Sequence, residues 1–259
     1  MEMNMLMKKM SGFGLACIVL LSGAGCTMES GDEGEVLGEA SLPMLGGTAL
    51  NLSARPYEEL VVDVSGCTGT LVPHNNEGIA RYVLTARHCL DGGVTPNSRV
   101  VRRGTNEELL GRGKAIHMHP DTFEPGNNQI DAALLELVTP VAVTSKLYTS
   151  SLTPLEMVGQ TARCYGGGGV SGAHIFSGTF AMIQTDSDGN TAIHYGVREP
   201  GLSGEELVPG DSGGPCFRTT GTTSATLFGI HKAGATSTSS RGMAAVSFSA
   251  WLRTFVPRT

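Results

Sequence analysis

From Met44 onward, short apolar and β-branched runs alternate with clusters of turn residues. Leu60 to Val64, Thr70 to Pro73, Arg81 to Thr85, Val100 to Val101, Asp131 to Val138 and Leu227 to His231 read as strands. Clusters such as Pro73-His74-Asn75-Asn76 and Pro125-Gly126-Asn127-Asn128 punctuate them. Many short strands at this spacing predict an all-β barrel or sandwich. Only the last residues, about Ser249 to Val256, read as a terminal helix.

The first forty residues follow a different pattern. Lys8 and Lys9 precede an apolar run from Phe13 to Leu21, short for a bilayer span, and the small residues Ser22-Gly23-Ala24-Gly25 lead to Cys26. Residues 1–25 therefore read as a signal peptide, and export follows. The end of the run resembles a bacterial lipoprotein signal, in which the cysteine, here Cys26, becomes the lipidated first residue. Gly23 departs from the aliphatic residue usual at its position, so plain secretion stays open beside a lipid-anchored place at the cell envelope. Residues 26–43 carry Glu29, Asp32, Glu33, Glu35 and Glu39 with few apolar groups. They read as a flexible acidic linker or pro-segment, because too little apolar surface is present to offset the entropy of ordering.

Composition narrows the picture further. The chain of 259 residues can bury a sizeable core. Its formal charge of -6 and lack of a lysine or arginine cluster argue against a nucleic-acid partner. Six cysteines are present, and Cys67, Cys89, Cys164 and Cys216 remain after the leader. In an exported chain these imply two disulfides, and spacing alone leaves all three pairings open.

The candidate chemistry gathers around Gly210-Asp211-Ser212-Gly213-Gly214-Pro215. Glycines on both sides allow a turn that presents the Ser212 hydroxyl and aims backbone N–H groups at a shared point. A base is available in Leu84-Thr85-Ala86-Arg87-His88-Cys89, where a histidine follows a strand and abuts a half-cystine. A carboxylate is available at Asp131, at the mouth of the apolar run Ala132-Ala133-Leu134-Leu135. A charge there needs a partner or it neutralises, and a histidine N–H is a suitable one.

These three segments, in the order His, Asp, Ser, resemble the trypsin-like serine proteases of chymotrypsin fold. That family carries Thr-Ala-Ala-His-Cys, Asp-Ile-Ala-Leu-Leu and Gly-Asp-Ser-Gly-Gly-Pro, and the likeness runs from about Met44 to Trp251. The resemblance implies two six-stranded antiparallel β-barrels, at roughly 44–150 and 151–259, with a short C-terminal helix and the site between the barrels. It implies a serine endopeptidase with Ser212 as nucleophile, His88 as base, Asp131 as its orienting carboxylate, and the Gly210 and Ser212 N–H groups as the oxyanion hole. It also implies Cys67–Cys89 and Cys164–Cys216 disulfides. The implied partners are protein or peptide substrates and a protein inhibitor. The chemistry calls for no metal and no cofactor.

Several residues depart from the family pattern. Met44-Leu45-Gly46-Gly47 resembles the family's mature start but follows Pro43. Either a protease of non-tryptic specificity cuts there, or Asp211 has an internal cationic partner. Glu206 stands where the family places the base of its primary pocket, which implies cleavage after Arg or Lys; the alternative is a solvated Glu205-Glu206 loop pair. In Gly229-Ile230-His231-Lys232-Ala233-Gly234, the strand that resembles the family's substrate-lining segment, Lys232 replaces a small serine. It either pairs with Asp131 or turns to solvent on a bulge. Lys232 and Pro43 are the features that favour a catalytically silent, protein-binding homologue.

Other readings are weaker. Gly210 to Gly214 also fits the elbow of α/β-hydrolases, and His231 follows it, but no acid lies after Ser212. His117 and His119 form an isolated pair without a ligand set and read as loop residues rather than a metal site. Gly166 to Gly169 read as a turn, since no Gly-Lys-Ser/Thr follows.

Overall fold

The computed structural model describes Met44 and residues 47–91, 95–106, 108–121, 130–152, 154–167, 175–187, 193–198, 207–208, 210–219, 221–236 and 239–257. The signal peptide, Cys26, the acidic linker, Pro43 and Glu206 lie outside these residues.

The strands in chain order are β1 (Thr48–Ala49), β2 (Val61–Val64), β3 (Cys67–His74), β4 (Ile79–Thr85), β5 (Val100–Arg103), β6 (Leu109–Met118) and β7 (Ala133–Ala142). They continue as β8 (Lys146–Thr149), β9 (Thr161–Gly166), β10 (Phe176–Ser187), β11 (Ile193–Arg198), β12 (Pro215–Thr219), β13 (Ser224–Thr236) and β14 (Ser239–Ala244). A one-turn helix α1 (Pro154–Met157) precedes β9, and α2 (Ala245–Phe255) closes the chain. The terminal helix starts four residues earlier than its sequence pattern predicts: Ala245 and Phe248 are buried and extend its apolar face.

Strands β2-β3-β4-β7-β6-β5 form a closed antiparallel barrel. Inside it, Val62, Leu71, Val83, Val101 and Leu135 are fully shielded from solvent, and Leu84 and Leu134, on the opposite face of the same strands, are shielded as well. Each such side chain contributes about 1.5–3 kcal/mol by leaving water. The other strands form a second, eight-stranded sheet. Pairing of β9 with both β10 and β12 joins six of them in a circuit, β10-β11-β14-β13-β12-β9. Two strands depart from the expected six: β1 adds to β10, and β8 adds to β13 in parallel, through Ser224↔Lys146 to Leu227↔Thr149. The mostly antiparallel two-sheet architecture is the one expected.

β6 is one of the long elements that the hydrophobic pattern misses; the longer β10 is another. Leu109–Met118 contains Gly111, Arg112, Gly113 and Lys114, and only one of its residues is fully buried, so its alternation is blurred. Pairing to β5 and β7 makes it a strand. His117 is consequently a strand residue opposite Leu134, not a loop residue.

Both disulfides form as expected, Cys67–Cys89 and Cys164–Cys216. Cys164 and Cys216 face each other in register on β9 and β12. Bridges of this kind typically add ~2–4 kcal/mol by restricting the unfolded chain, and they suit an oxidising, extracellular setting.

Candidate active site

β4 ends at Thr85, and after extended Ala86 a single 3₁₀ turn, Arg87–Cys89, lifts His88 out of the barrel wall. β4 pairs with β7 through Thr85↔Ala133 and Leu84↔Leu134. That register carries Asp131, two residues before β7, alongside the turn. Its carboxylate takes two hydrogen bonds from one residue: the His88 backbone N–H donates to Oδ1 at 3.0 Å, and Nδ1 lies 2.7 Å from Oδ2. An ionised carboxylate only accepts, so Nδ1 carries the ring proton and Nε2 is left as the acceptor.

The electrostatics agree with this geometry. The bond to Asp131 raises the pKa of His88 above its ordinary 6.5; partial burial and the charge of Lys232 oppose that rise. Burial works to raise the pKa of Asp131, but the His88 bonds and the nearby positive charges outweigh it and hold the carboxyl below its usual value. Asp131 is largely buried while the His88 ring is 44% exposed, so the imidazole faces an open side.

Ser212 lies on the loop between Gly210 (φ 95°) and Gly213 (φ 79°) and is itself buried. The loop is tied at several points. Asp211 N–H donates to Val208 O, Gly214 N–H to Asp211 O, and Gly213 N–H to His231 O. The Ser212 carbonyl accepts from Thr68 N–H at 2.9 Å and lies 3.7 Å from Sγ of Cys89. The serine loop of the second sheet is therefore fastened to β3 of the barrel and to the half-cystine next to His88.

Gly213 makes this approach possible. A Cβ at that position would overlap Thr85 Oγ1, Thr68 O and Ala86 N, the last two being backbone atoms that cannot give way. Gly166 plays a similar part for Asp211: a Cβ there would overlap the Asp211 carboxylate. Asp211 is buried, and its Oδ2 accepts from Val208 N–H at 2.8 Å. Met44, at the family-like start, is also buried, among Met157, Phe180 and Met182 of the second core cluster.

The trypsin family model matches residues 44–252. The chain belongs to the trypsin family. Members of this family act on protein or peptide substrates, and the fold described above is of the trypsin serine-protease type.

Within this trypsin-family fold, Lys232 sits half-buried on β13 with its charge felt by both His88 and Asp131. Among the described residues it makes no ion pair; the pair at Asp131 is with His88. In the β13–β14 pairing the register irregularity falls after Lys232, between it and Thr236. Gly234 lies on the same strand.

His231 is the feature that sequence reasoning missed, having weighed it only as the histidine of an esterase. Alternation along β13 turns it to the face opposite Lys232, beneath the serine loop, where its N–H donates to Gly214 O. Its Nε2 lies 3.6 Å from Sγ of Cys216, and Nδ1 has no hydrogen-bond partner. Burial alone pushes its pKa down to about 3. The unfolded chain accepts this proton below about pH 6.5, and the folded chain refuses it until about pH 3, so stability falls as pH drops through that window. The full effect is on the order of 4–5 kcal/mol. Urea midpoints compared at pH 7 and pH 4 should show a steeper acid loss for the native chain than for His231→Val; equal losses would exclude His231 as the cause.

Among the described residues, two groups bring ligand-type atoms together, Cys67 with His88 and Cys89, and Cys164 with Cys216 and His231. In both, the sulfurs are joined in disulfides and offer no thiolate to a metal. His117 and His119 do not converge on a ligand either. His117 Nε2 meets Glu136 Oε2 at 3.2 Å, whereas His119 packs its ring against Trp251.

Proposed function

We propose that the protein is a serine endopeptidase that works through an acyl-enzyme, with Ser212 as nucleophile, His88 as general base and acid, and Asp131 as the orienting carboxylate. The observation that carries the reading is the double grip of Asp131 on the backbone and ring of His88, beside the tethered Ser212 loop. His88 Nε2 takes the Ser212 proton as Oγ bonds to the scissile carbonyl carbon. The C–N bond then breaks, and Nε2 returns the proton to the leaving amine. Water repeats the sequence: it gives a proton to Nε2, bonds to the acyl carbon and releases Ser212.

The Gly210 and Ser212 N–H groups serve as the oxyanion hole. In support, neither donates to an acceptor among the described residues. One such donor is typically worth ~3 kcal/mol in the transition state. Glu206, which stands in the sequence where the family places the base of its primary pocket, selects Arg or Lys before the cut, and Lys232 and Gly234 lie on the strand that lines the substrate. The two barrels at 44–150 and 151–259 form the protease domain. The leader exports it, and Cys26 anchors it by lipid at the cell envelope. Cleavage between Pro43 and Met44 frees the amine that completes the site around Asp211.

A second reading, a silent homologue that binds proteins, is favoured by the Lys232 charge acting on both His88 and Asp131. A fluorophosphonate probe separates the two. We expect it to label Ser212 in the exported domain, and Ser212→Ala and His88→Ala to abolish labelling. Labelling that emerges only in Lys232→Ser would establish the silent reading. No labelling in any form, before or after cleavage ahead of Met44, would remove the protease reading.

A further inference from the structure

A cleft of about 540 Å³ opens on the second sheet, with Arg55, Arg163 and Arg218 in its lining. Arg163 stands on β9 directly opposite Phe217 of β12, and Arg218 is the next residue along. Arg55 comes from the segment just before the 3₁₀ turn Pro56–Leu60. Arginines from three separate segments thus line one concavity.

The charge in the cleft is not cancelled locally. Among the described residues, no carboxylate lines it. Arg55 is balanced from behind by Glu58, which is fully buried and whose Oε1 accepts from Arg55 Nε at 2.5 Å and from Tyr165 OH at 3.1 Å. The Nη2 end of Arg55 is left without a hydrogen-bond partner. Among the described residues, Arg163 and Arg218 make no ion pair at all; Arg163 donates only to a neutral hydroxyl, Ser177 Oγ, at 2.7 Å. Gln160, Thr179 and Thr222 add neutral hydrogen-bonding groups to the wall. A chain of net charge -6 therefore keeps a concave, positively charged recess.

The recess is geometrically rigid. Arg163 is held by β9, which pairs with β10 and β12 and is bridged to β12 one residue further on by Cys164–Cys216. Beneath it, Tyr57 and Phe217 are buried and pack edge to face, with ring centroids 6.1 Å apart. Guanidinium groups on such a frame suit the oxygens of a tetrahedral anion, because planar N–H forks match adjacent phosphate oxygens.

We propose that this cleft is a binding site for a phosphate group, separate from the Ser212 site and independent of whether the protein cleaves peptides. Arg163 and Arg218 supply the charge, Arg55 assists, and the threonines and Gln160 complete the shell. The group arrives either as free inorganic phosphate or as a monoester on a small molecule.

Isothermal titration calorimetry on the exported chain, with inorganic phosphate and with glucose 6-phosphate at fixed ionic strength in chloride, tests it. Saturable one-site binding is expected, weakened roughly tenfold by Arg163→Gln and by Arg218→Gln. Tighter binding of inorganic phosphate identifies the free ion as occupant, and tighter binding of the sugar phosphate identifies a monoester. Arg218 is exposed and unpaired, so Arg218→Gln reads out binding without disturbing the fold. Absence of saturable binding in both arms, or binding unchanged in Arg218→Gln and in the double variant, overturns the proposal.

Discussion

With His88 and Ser212 in their proposed roles, Asp131→Asn is expected to lower kcat by about four orders of magnitude while the chain stays folded. The carboxylate now accepts two N–H groups, from the His88 backbone and from Nδ1. An amide has one acceptor oxygen. If that oxygen keeps the backbone N–H, the NH₂ faces Nδ1 and donates to it, which drives the ring proton to Nε2. Nε2 then cannot take the Ser212 proton, although nothing has moved. The pH profile gives an independent reading. His88 must be neutral to act, and its bond to Asp131 raises its pKa above 6.5. For the native enzyme, kcat/KM should rise with pH through a midpoint above that value. In Asp131→Asn the midpoint moves down, because the interaction that raised it is gone. A loss below tenfold, or an unmoved acid limb, would show that Asp131 does not govern His88.

Gly213→Ala should be among the most damaging single methyls in the described structure. Gly213 has φ 79°, a left-handed conformation that costs an alanine about 1–2 kcal/mol. Its new Cβ also runs into Thr68 O and Ala86 N, so the serine loop must retreat from the His88 turn. Together these effects should cost roughly 3 kcal/mol or more in stability. Activity should fall further, since the displaced loop carries Ser212. Gly159→Ala supplies the control. Its φ is also 79°, but nothing lies within 4 Å of the added Cβ. Urea midpoints of the two variants separate conformational strain from packing. If both lose the same stability, the close approach at Gly213 is not what joins the two sheets.

The elements that were legible in the sequence are those whose burial is one-sided or complete. β2, β4 and β7 each hold a buried stretch rich in Val, Leu and Ala, and that apolar character shows without any partner, even beside exposed positions such as Arg81 and Val138. β6 escaped because its side chains alternate only loosely with burial, and β8 because it is four residues long with one buried side chain, Leu147. They are strands because neighbours hydrogen-bond to them, and that information lies in residues far along the chain. The parallel β8–β13 pair, between residues 146–149 and 224–227, is of this kind.

The candidate site divides in the same way. Ser212, His88 and Asp131 were legible as candidates because the motifs around them are local and carried as short blocks, whereas the pairing of the four cysteines came from the family resemblance, since spacing alone leaves three pairings open. What only the tertiary structure decided is how the blocks meet: Asp131 holding both N–H groups of His88, Gly213 pressed against the end of β4, and His231 buried unpaired beneath the loop. Lys232 and the arginine cleft belong here too, because charges separated along the chain act on one another only after folding brings them within a few ångströms. Sequence alone therefore determined the mostly β architecture and singled out the candidate residues, since local residue types and turn glycines encode both. Hydrogen-bond partners, buried charges and the positive cleft waited for the fold, since each depends on distances between residues that the chain order leaves free.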